Sequence, residues 1–113
     1  MTTPAIRLPE KPDACELCQR TGVALTRHHL IPRSLHSKKW VRKMFDRNER
    51  ISSTAWLCRP CHNHIHAEIS EKDMARHYHS IERLRSVDRI AEFAHWLSSK
   101  PSGFKPQQRK RKR

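Results

Sequence analysis

Two C-x-x-C pairs are the clearest chemical feature of this sequence. They are Cys15/Cys18 and Cys58/Cys61. Four thiolates at such spacing favour a closed tetrahedral site, the geometry that structural zinc prefers. We predict that the four cysteines bind one structural Zn²⁺. Disulfides and free thiols are the alternatives, and a reducing compartment disfavours the first.

A group of histidines lies beside these pairs in the sequence. His62 and His66 are four residues apart in a stretch with helical character, so they share a helix face and can bind one metal ion. His28 and His29 are adjacent on a predicted strand and should point to opposite sides. One can bind metal while the other acts as a general base near neutral pH, as a hydrolytic site requires. Packing in the core or around the zinc site is the alternative for His28 and His29.

The predicted secondary structure positions these side chains. Residues 23–26 are β-prone and lead into the two histidines, and residues 51–57 form a second predicted strand. A helix should run from about residue 59 to 69, because Pro60 suits a first helical turn.

The 113 residues are enough for one small domain with terminal segments. We predict an extended N-terminal arm (1–14), a core (15–69) that contains a basic insertion (33–50), a helical extension (70–99) and a disordered basic tail (100–113). The insertion places four apolar side chains on one predicted helix face, and burial of that face is favoured over stacking of its aromatic rings on bases. These are Trp40, Val41, Met44 and Phe45.

Taken together, the motifs over residues 15–66 resemble the HNH endonuclease family, the ββα-metal nucleases. They are Cys15-Glu16-Leu17-Cys18, His28-His29-Leu30-Ile31-Pro32, and Leu57-Cys58-Arg59-Pro60-Cys61-His62 followed by His66. The resemblance implies an α+β fold: a small core of two antiparallel strands and a helix around a catalytic metal. A four-cysteine zinc site would brace this core, and the helical C-terminal extension would follow it.

The resemblance also implies roles for the histidines in the hydrolysis of DNA phosphodiester bonds. His29 matches the general base that activates the attacking water. His28, His62 and His66 match the ligands of one divalent ion (Mg²⁺, Mn²⁺, Ni²⁺, Co²⁺ or Zn²⁺), which stabilises the leaving 3′ oxygen. Ser53 stands where the family usually has the asparagine that holds the loop of the base. The remaining histidines are predicted to have no catalytic role.

The formal net charge of +13 points to a polyanionic partner. We predict duplex DNA, and a merely solvated basic surface is the alternative. Seven cations are the predicted nucleic-acid contacts: Arg27, Arg33, Lys38, Lys39, Arg42, Lys43 and Arg59. A non-catalytic, zinc-braced nucleic-acid-binding module is the alternative function, but such a module would not need His29 beside a complete ligand set.

The sequence also gives expectations about the compartment. No apolar run approaches the roughly 20 residues that cross a bilayer, so no membrane association is predicted. Residues 1–5 lack a basic region followed by an apolar stretch, so we predict no signal peptide and a cytoplasmic location.

Overall fold

A two-stranded antiparallel sheet lies at the centre of the computed structural model, which describes residues 8–106. Strand β1 (Leu25–His29) pairs with β2 (Thr54–Cys58), in a register that sets Leu25 opposite Cys58 and His29 opposite Thr54. Both strands begin later than predicted. Ile51 and Ser52 lie in a helix instead, because a capping box between Asp46 and Glu49 starts a helical segment there.

Helix α3 (Arg59–Glu68) follows β2 without a loop and confirms the predicted helix to within one residue. Pro60 lies in its first turn, where the missing N–H costs no intrahelical hydrogen bond. Cys61 and Ile65 are buried on the face that packs against the sheet. Strands β1 and β2 therefore form one compact unit with α3. This unit contains the candidate histidines and the second cysteine pair, and the first cysteine pair lies in the loop before β1.

The basic insertion consists of a single 3₁₀ turn (Arg33–Leu35), helix α1 (Lys39–Met44) and helix α2 (Arg47–Ser52). Val41 and Phe45 are buried in a small second core and half-buried Trp40 packs against it, so packing rather than base stacking is confirmed for Phe45. Met44 is 47% exposed and is not part of the buried face, contrary to the prediction.

Three helices lie within residues 70–99, the range that the sequence predicts to be helical. They are α4 (Glu71–His77), α5 (Ile81–Arg85) and α6 (Asp88–Ser98). The Ser70 hydroxyl accepts a hydrogen bond from the Asp73 N–H and caps α4, as the sequence indicates. Helix α6 buries Ile90 and Leu97 in the main core, against the residues of α3.

Residues 100–106 contact the rest of the domain, whereas the sequence predicts a disordered tail from residue 100. The Arg20 guanidinium donates to the Pro101 carbonyl over 2.9 Å, and Phe104 packs against the main core. Residues 107–113, with the basic run from Arg109, lie outside the described residues, as do residues 1–7 of the N-terminal arm. Residues 8–13 of that arm contain no helix or strand.

The longest helix within residues 8–106 has 11 residues, and none there is long and apolar enough to cross a membrane.

Candidate functional site

The four cysteines come together in one buried cluster. Cys15 and Cys18 flank a tight turn before β1, whereas Cys58 ends β2 and Cys61 lies in the first turn of α3. Each is at most 3% exposed, and their sulfurs lie within 4.8 Å of one another. The Sγ atoms of Cys18 and Cys58 are 3.7 Å apart, far longer than a disulfide bond. This cluster could hold a structural metal ion.

Backbone hydrogen bonds shape the first cysteine turn around the sulfurs. The Gln19 N–H donates to the Cys15 carbonyl over 2.9 Å, and the Cys15 N–H donates to the Arg20 carbonyl over 3.1 Å. Gln19 adopts a left-handed conformation with φ of 66°, which closes the turn. The Glu16 N–H donates to the Trp56 carbonyl over 2.9 Å and ties the turn to β2.

Hydrogen bonds among the four thiols make their ionisation interdependent. Hydrogen bonds from Cys15 and Cys58 lower the pKa of Cys18, whereas hydrogen bonds with Cys15 and Cys18 raise the pKa of Cys58. Ionising one sulfur therefore makes it harder to ionise the next. Four thiolates can coexist in this buried space only if a cation compensates their charge.

Three histidines form the second cluster that could hold a metal ion. His28 lies on β1, and His62 and His66 lie one turn apart on α3. Their ring centroids are 4.9 to 5.2 Å apart, and their candidate ligand nitrogens lie within 4.8 Å of one another. The spacing of the two helical histidines and their position opposite β1 thus bring all three predicted ligands together.

His28 is fully buried, and neither ring nitrogen has a hydrogen-bond partner among the described residues. Buried polar groups are almost always paired, so two orphaned nitrogens on one ring require an explanation. Burial, reinforced by the proximity of His62 and His66, lowers the pKa of His28 to about 3. The ring is therefore neutral at physiological pH and can offer a lone pair.

The orientation of His62 is fixed by a side chain that sequence reasoning missed. The Thr26 hydroxyl donates to the Leu57 carbonyl over 2.9 Å and lies 2.7 Å from Nδ1 of His62. With its proton committed to Leu57, the hydroxyl oxygen can only accept from Nδ1–H, which leaves Nε2 unprotonated. Burial is the main cause that lowers the pKa of His62 to about 4, so this ring is also neutral.

His29 is not part of the three-histidine cluster, although it follows His28 directly. It lines a cavity of about 190 Å³ together with His62, His66 and two cations, Arg27 and Arg33. Burial lowers the pKa of His29, and the nearby His36, Arg33 and Arg27 lower it further. The cavity thus places a neutral imidazole beside the helical histidines and between positive charges.

The turn that follows His29 is held by His36, a histidine predicted to have no catalytic role. Nε2 of His36 lies 2.8 Å from the Ile31 carbonyl, an acceptor, so this nitrogen is the donor. The Leu30 N–H donates to the Ser53 carbonyl over 2.9 Å. A side chain from within the turn and the main chain of Ser53 therefore hold the backbone next to His29. No sequence pattern signals the His36 contact.

The predicted nucleic-acid contacts separate into three places. Arg27 and Arg33 border the histidine cavity, and Arg59 lines a different cavity at the start of α3. The other four lie exposed at the start of α1 or along it, and none of them lines the histidine cavity: Lys38, Lys39, Arg42 and Lys43.

Two further side chains acquire roles that the sequence did not indicate. Glu71, the one carboxylate that lines the histidine cavity, accepts a hydrogen bond of 2.8 Å from the Ser34 hydroxyl. His64, one of the histidines predicted to have no catalytic role, stacks on Phe93 with ring centroids 4.0 Å apart and connects α3 to α6. His64 therefore contributes to packing.

Comparison with known proteins places the chain among relatives. It is 34% identical over 87 residues to a protein named "Uncharacterized protein YisB" from Bacillus subtilis (strain 168). The aligned region covers 77% of this chain and 75% of that protein. The chain belongs to the YisB family. No family model matches it, and no solved structure matches it either. Membership in the YisB family assigns no activity to the chain.

Proposed function

We propose that the protein is a metal-dependent HNH endonuclease that hydrolyses phosphodiester bonds of DNA. In this proposal His29 is the general base, and His28, His62 and His66 hold one divalent ion. The two strands and α3 are the ββα core, and the four-cysteine cluster is its structural zinc site.

The observation that carries the proposal is the state of His28. A fully buried imidazole with two unpaired nitrogens loses its hydration without any hydrogen bond in return. Coordination of a metal ion by one nitrogen would offset that loss. His62 and His66 are within reach of the same ion, and Thr26 already selects the tautomer of His62 that can coordinate.

The distances in the cysteine cluster support zinc as the structural ion. Tetrahedral coordination with Zn–S bonds near 2.3 Å requires sulfurs about 3.8 Å apart. The 3.7 Å separation between Cys18 and Cys58 agrees with that value. Arg20 donates to the Cys58 sulfur over 3.6 Å, and such a hydrogen bond is typical of the environment of metal-bound thiolates.

The residues of the histidine cavity suit the chemistry of hydrolysis. His29 is neutral because its pKa is lowered, so it can take a proton from a water molecule as that water attacks phosphorus. The bond to the 3′ oxygen then breaks, leaving a 5′ phosphate and, after protonation by solvent, a 3′ hydroxyl. Arg27 and Arg33 can pair with the phosphate oxygens and position the scissile group. A bound divalent ion would stabilise the charge of the leaving oxygen.

The electrostatics of the whole chain support DNA as the substrate. The formal charge is +13, and the exposed cations of α1 extend the positive surface beyond the cavity. Such a surface attracts the phosphate backbone irrespective of sequence and should make binding strongly dependent on salt.

A plasmid-cleavage assay across divalent ions tests the proposal. Imidazole ligands are softer than carboxylates, so Mn²⁺, Ni²⁺ or Co²⁺ should support cleavage at least as well as Mg²⁺. His62→Ala should weaken the binding of the catalytic ion, whereas His95→Ala, on the exposed face of α6, should not. Salt-dependent DNA binding without cleavage in any ion would instead favour the non-catalytic binding module.

A further inference from the structure

A second cavity, of about 430 Å³, lies between the loop after Cys18, the start of α3 and the segment of residues 100–106. It shares no lining residue with the histidine cavity, so the proposed catalytic residues do not account for it. Its volume falls within the range of small-molecule sites, roughly 300–1,000 Å³.

The walls of this second cavity suit a flat apolar ligand. Val23, Pro60 and Phe104 contribute apolar surface. Trp96 meets the Phe104 ring edge-on at 5.6 Å, and the Lys100 ammonium lies over one face of the ring, 5.5 Å from its centre. These two contacts restrict the ring. An aromatic ring at the wall of a cavity is a natural stacking surface for a heteroaromatic base.

Two polar groups in the cavity can read the edge of such a ligand. Asn63 is exposed on α3, and its amide both donates and accepts hydrogen bonds. Arg20 is only 6% exposed, and its Nε–H has no partner among the described residues. The two terminal nitrogens of its guanidinium donate to the Pro101 carbonyl and to the Cys58 sulfur. The Nε–H of Arg20 is therefore an unsatisfied buried donor in a residue that lines the cavity.

The charge of the cavity identifies the class of ligand. Exposed Arg59 and Lys105 lie among its lining residues, and within residues 8–106 no carboxylate does. A carboxylate-rich peptide could pair with these cations but would leave the Phe104 ring and the Asn63 amide unused. A nucleobase attached to a phosphate would use the ring, the amide and at least one of the two cations.

We propose that this second cavity binds an unstacked nucleobase of the DNA together with its adjoining phosphate. The base would stack on Phe104 with its edge toward Asn63, and the phosphate would pair with Arg59 or Lys105. This inference rests on the proposed function, which supplies the polynucleotide. It makes DNA with an unpaired nucleotide a better ligand than a perfect duplex.

Two duplexes that differ only in one bulged nucleotide provide the test. One carries the base and the other is abasic at the same position, so their phosphate charges are identical. Binding is measured by fluorescence anisotropy without added divalent ions, so that no strand is cut. The abasic duplex cannot stack a base on Phe104. The duplex that retains the base should therefore bind roughly 5- to 100-fold more tightly.

Variants of the lining residues locate the effect. Asn63→Ala and Phe104→Leu should abolish the difference between the two duplexes, while Lys105→Ala should weaken both equally. Asn48→Ala removes an exposed asparagine of α2 that lines neither cavity and should change nothing. Thermal melting verifies that each variant is folded. Equal affinities in the wild type, as for a surface that selects charge alone, would overturn the proposal, as would a difference that survives in both Asn63→Ala and Phe104→Leu.

The outcome is separable from that of the nuclease proposal. A preference for the base-containing bulge in a protein that never cuts would keep the base site and reject the enzyme. Cleavage by a protein that does not distinguish the two bulges would keep the enzyme and reject the base site.

Discussion

The Thr26 hydroxyl lies 2.7 Å from Nδ1 of His62, with its own proton engaged by the Leu57 carbonyl. The hydrogen bond favours the tautomer with a proton on Nδ1, so the lone pair of His62 is on Nε2. Thr26→Val keeps the shape but removes the acceptor, so we expect affinity for the histidine-bound ion to fall by roughly 10- to 100-fold. Titration calorimetry with Mn²⁺ measures this. Thr26→Ser retains the hydroxyl and should behave like the wild type; equal losses in both variants would contradict the role of the hydrogen bond.

The four cysteines should make folding dependent on zinc. The purified protein should carry about one tightly held zinc ion, and Cys58→Ser should leave it largely unfolded or insoluble, because structural sites of this kind supply folding free energy directly. Elemental analysis and thermal melting measure both effects. A metal-free protein with a normal cooperative melt would contradict this prediction.

The pH dependence of cleavage should follow His29. A general base acts only when neutral, so activity is lost as the pH falls through its pKa. Burial and nearby cations lower this pKa from its ordinary value of 6.5, so the loss should occur at a pH below that value. Arg33→Gln removes one of those cations, so the loss of activity at low pH (the acid limb of the pH–rate profile) should move to higher pH.

The control for this shift is Arg42→Gln, an exposed arginine of α1 that does not line the histidine cavity. Both variants lose one phosphate-attracting charge, but only Arg33→Gln should displace the limb. If Arg33→Gln and the wild type lose activity at the same low pH, the pKa of His29 does not determine that loss.

His36 should support catalysis through the turn that carries His29. His36→Ala removes the hydrogen bond to the Ile31 carbonyl, and a displacement of the base by about 1 Å can cost on the order of 10²-fold in rate. Single-turnover cleavage measures the loss, while Mn²⁺ affinity should stay unchanged because the three proposed metal ligands remain. His36→Gln can still donate to that carbonyl and should recover part of the rate. Wild-type turnover in His36→Ala would exclude a positioning role.

Much of the candidate site could be predicted from local sequence. The C-x-x-C spacing and the i, i+4 histidines specify which side chains share a turn or a helix face, and the structure brings both groups together. The position of Thr26 was also open to prediction, because strand residues two apart share a face and Thr26 precedes His28 by two.

The remainder depends on contacts between distant parts of the chain. Ile51 has high β-propensity, but the capping box formed by Asp46 and Glu49 extends a helix over it. The hydrogen bond from Arg20 to Pro101 joins the segment of residues 100–106 to the loop after Cys18, although the composition of this segment resembles that of a tail. The turn that lets His36 reach Ile31 depends on the backbone geometry after His29, which no periodicity encodes.

The most direct test of the central claim is the cleavage rate of His29→Ala on plasmid DNA in saturating Mn²⁺. The proposed roles predict a loss of roughly 10²-fold or more, the usual contribution of a general base, with DNA and Mn²⁺ affinities unchanged. His77→Ala, an exposed histidine at the end of α4, serves as the matched control and should cut normally. Cleavage by His29→Ala at the wild-type rate would contradict the catalytic assignment.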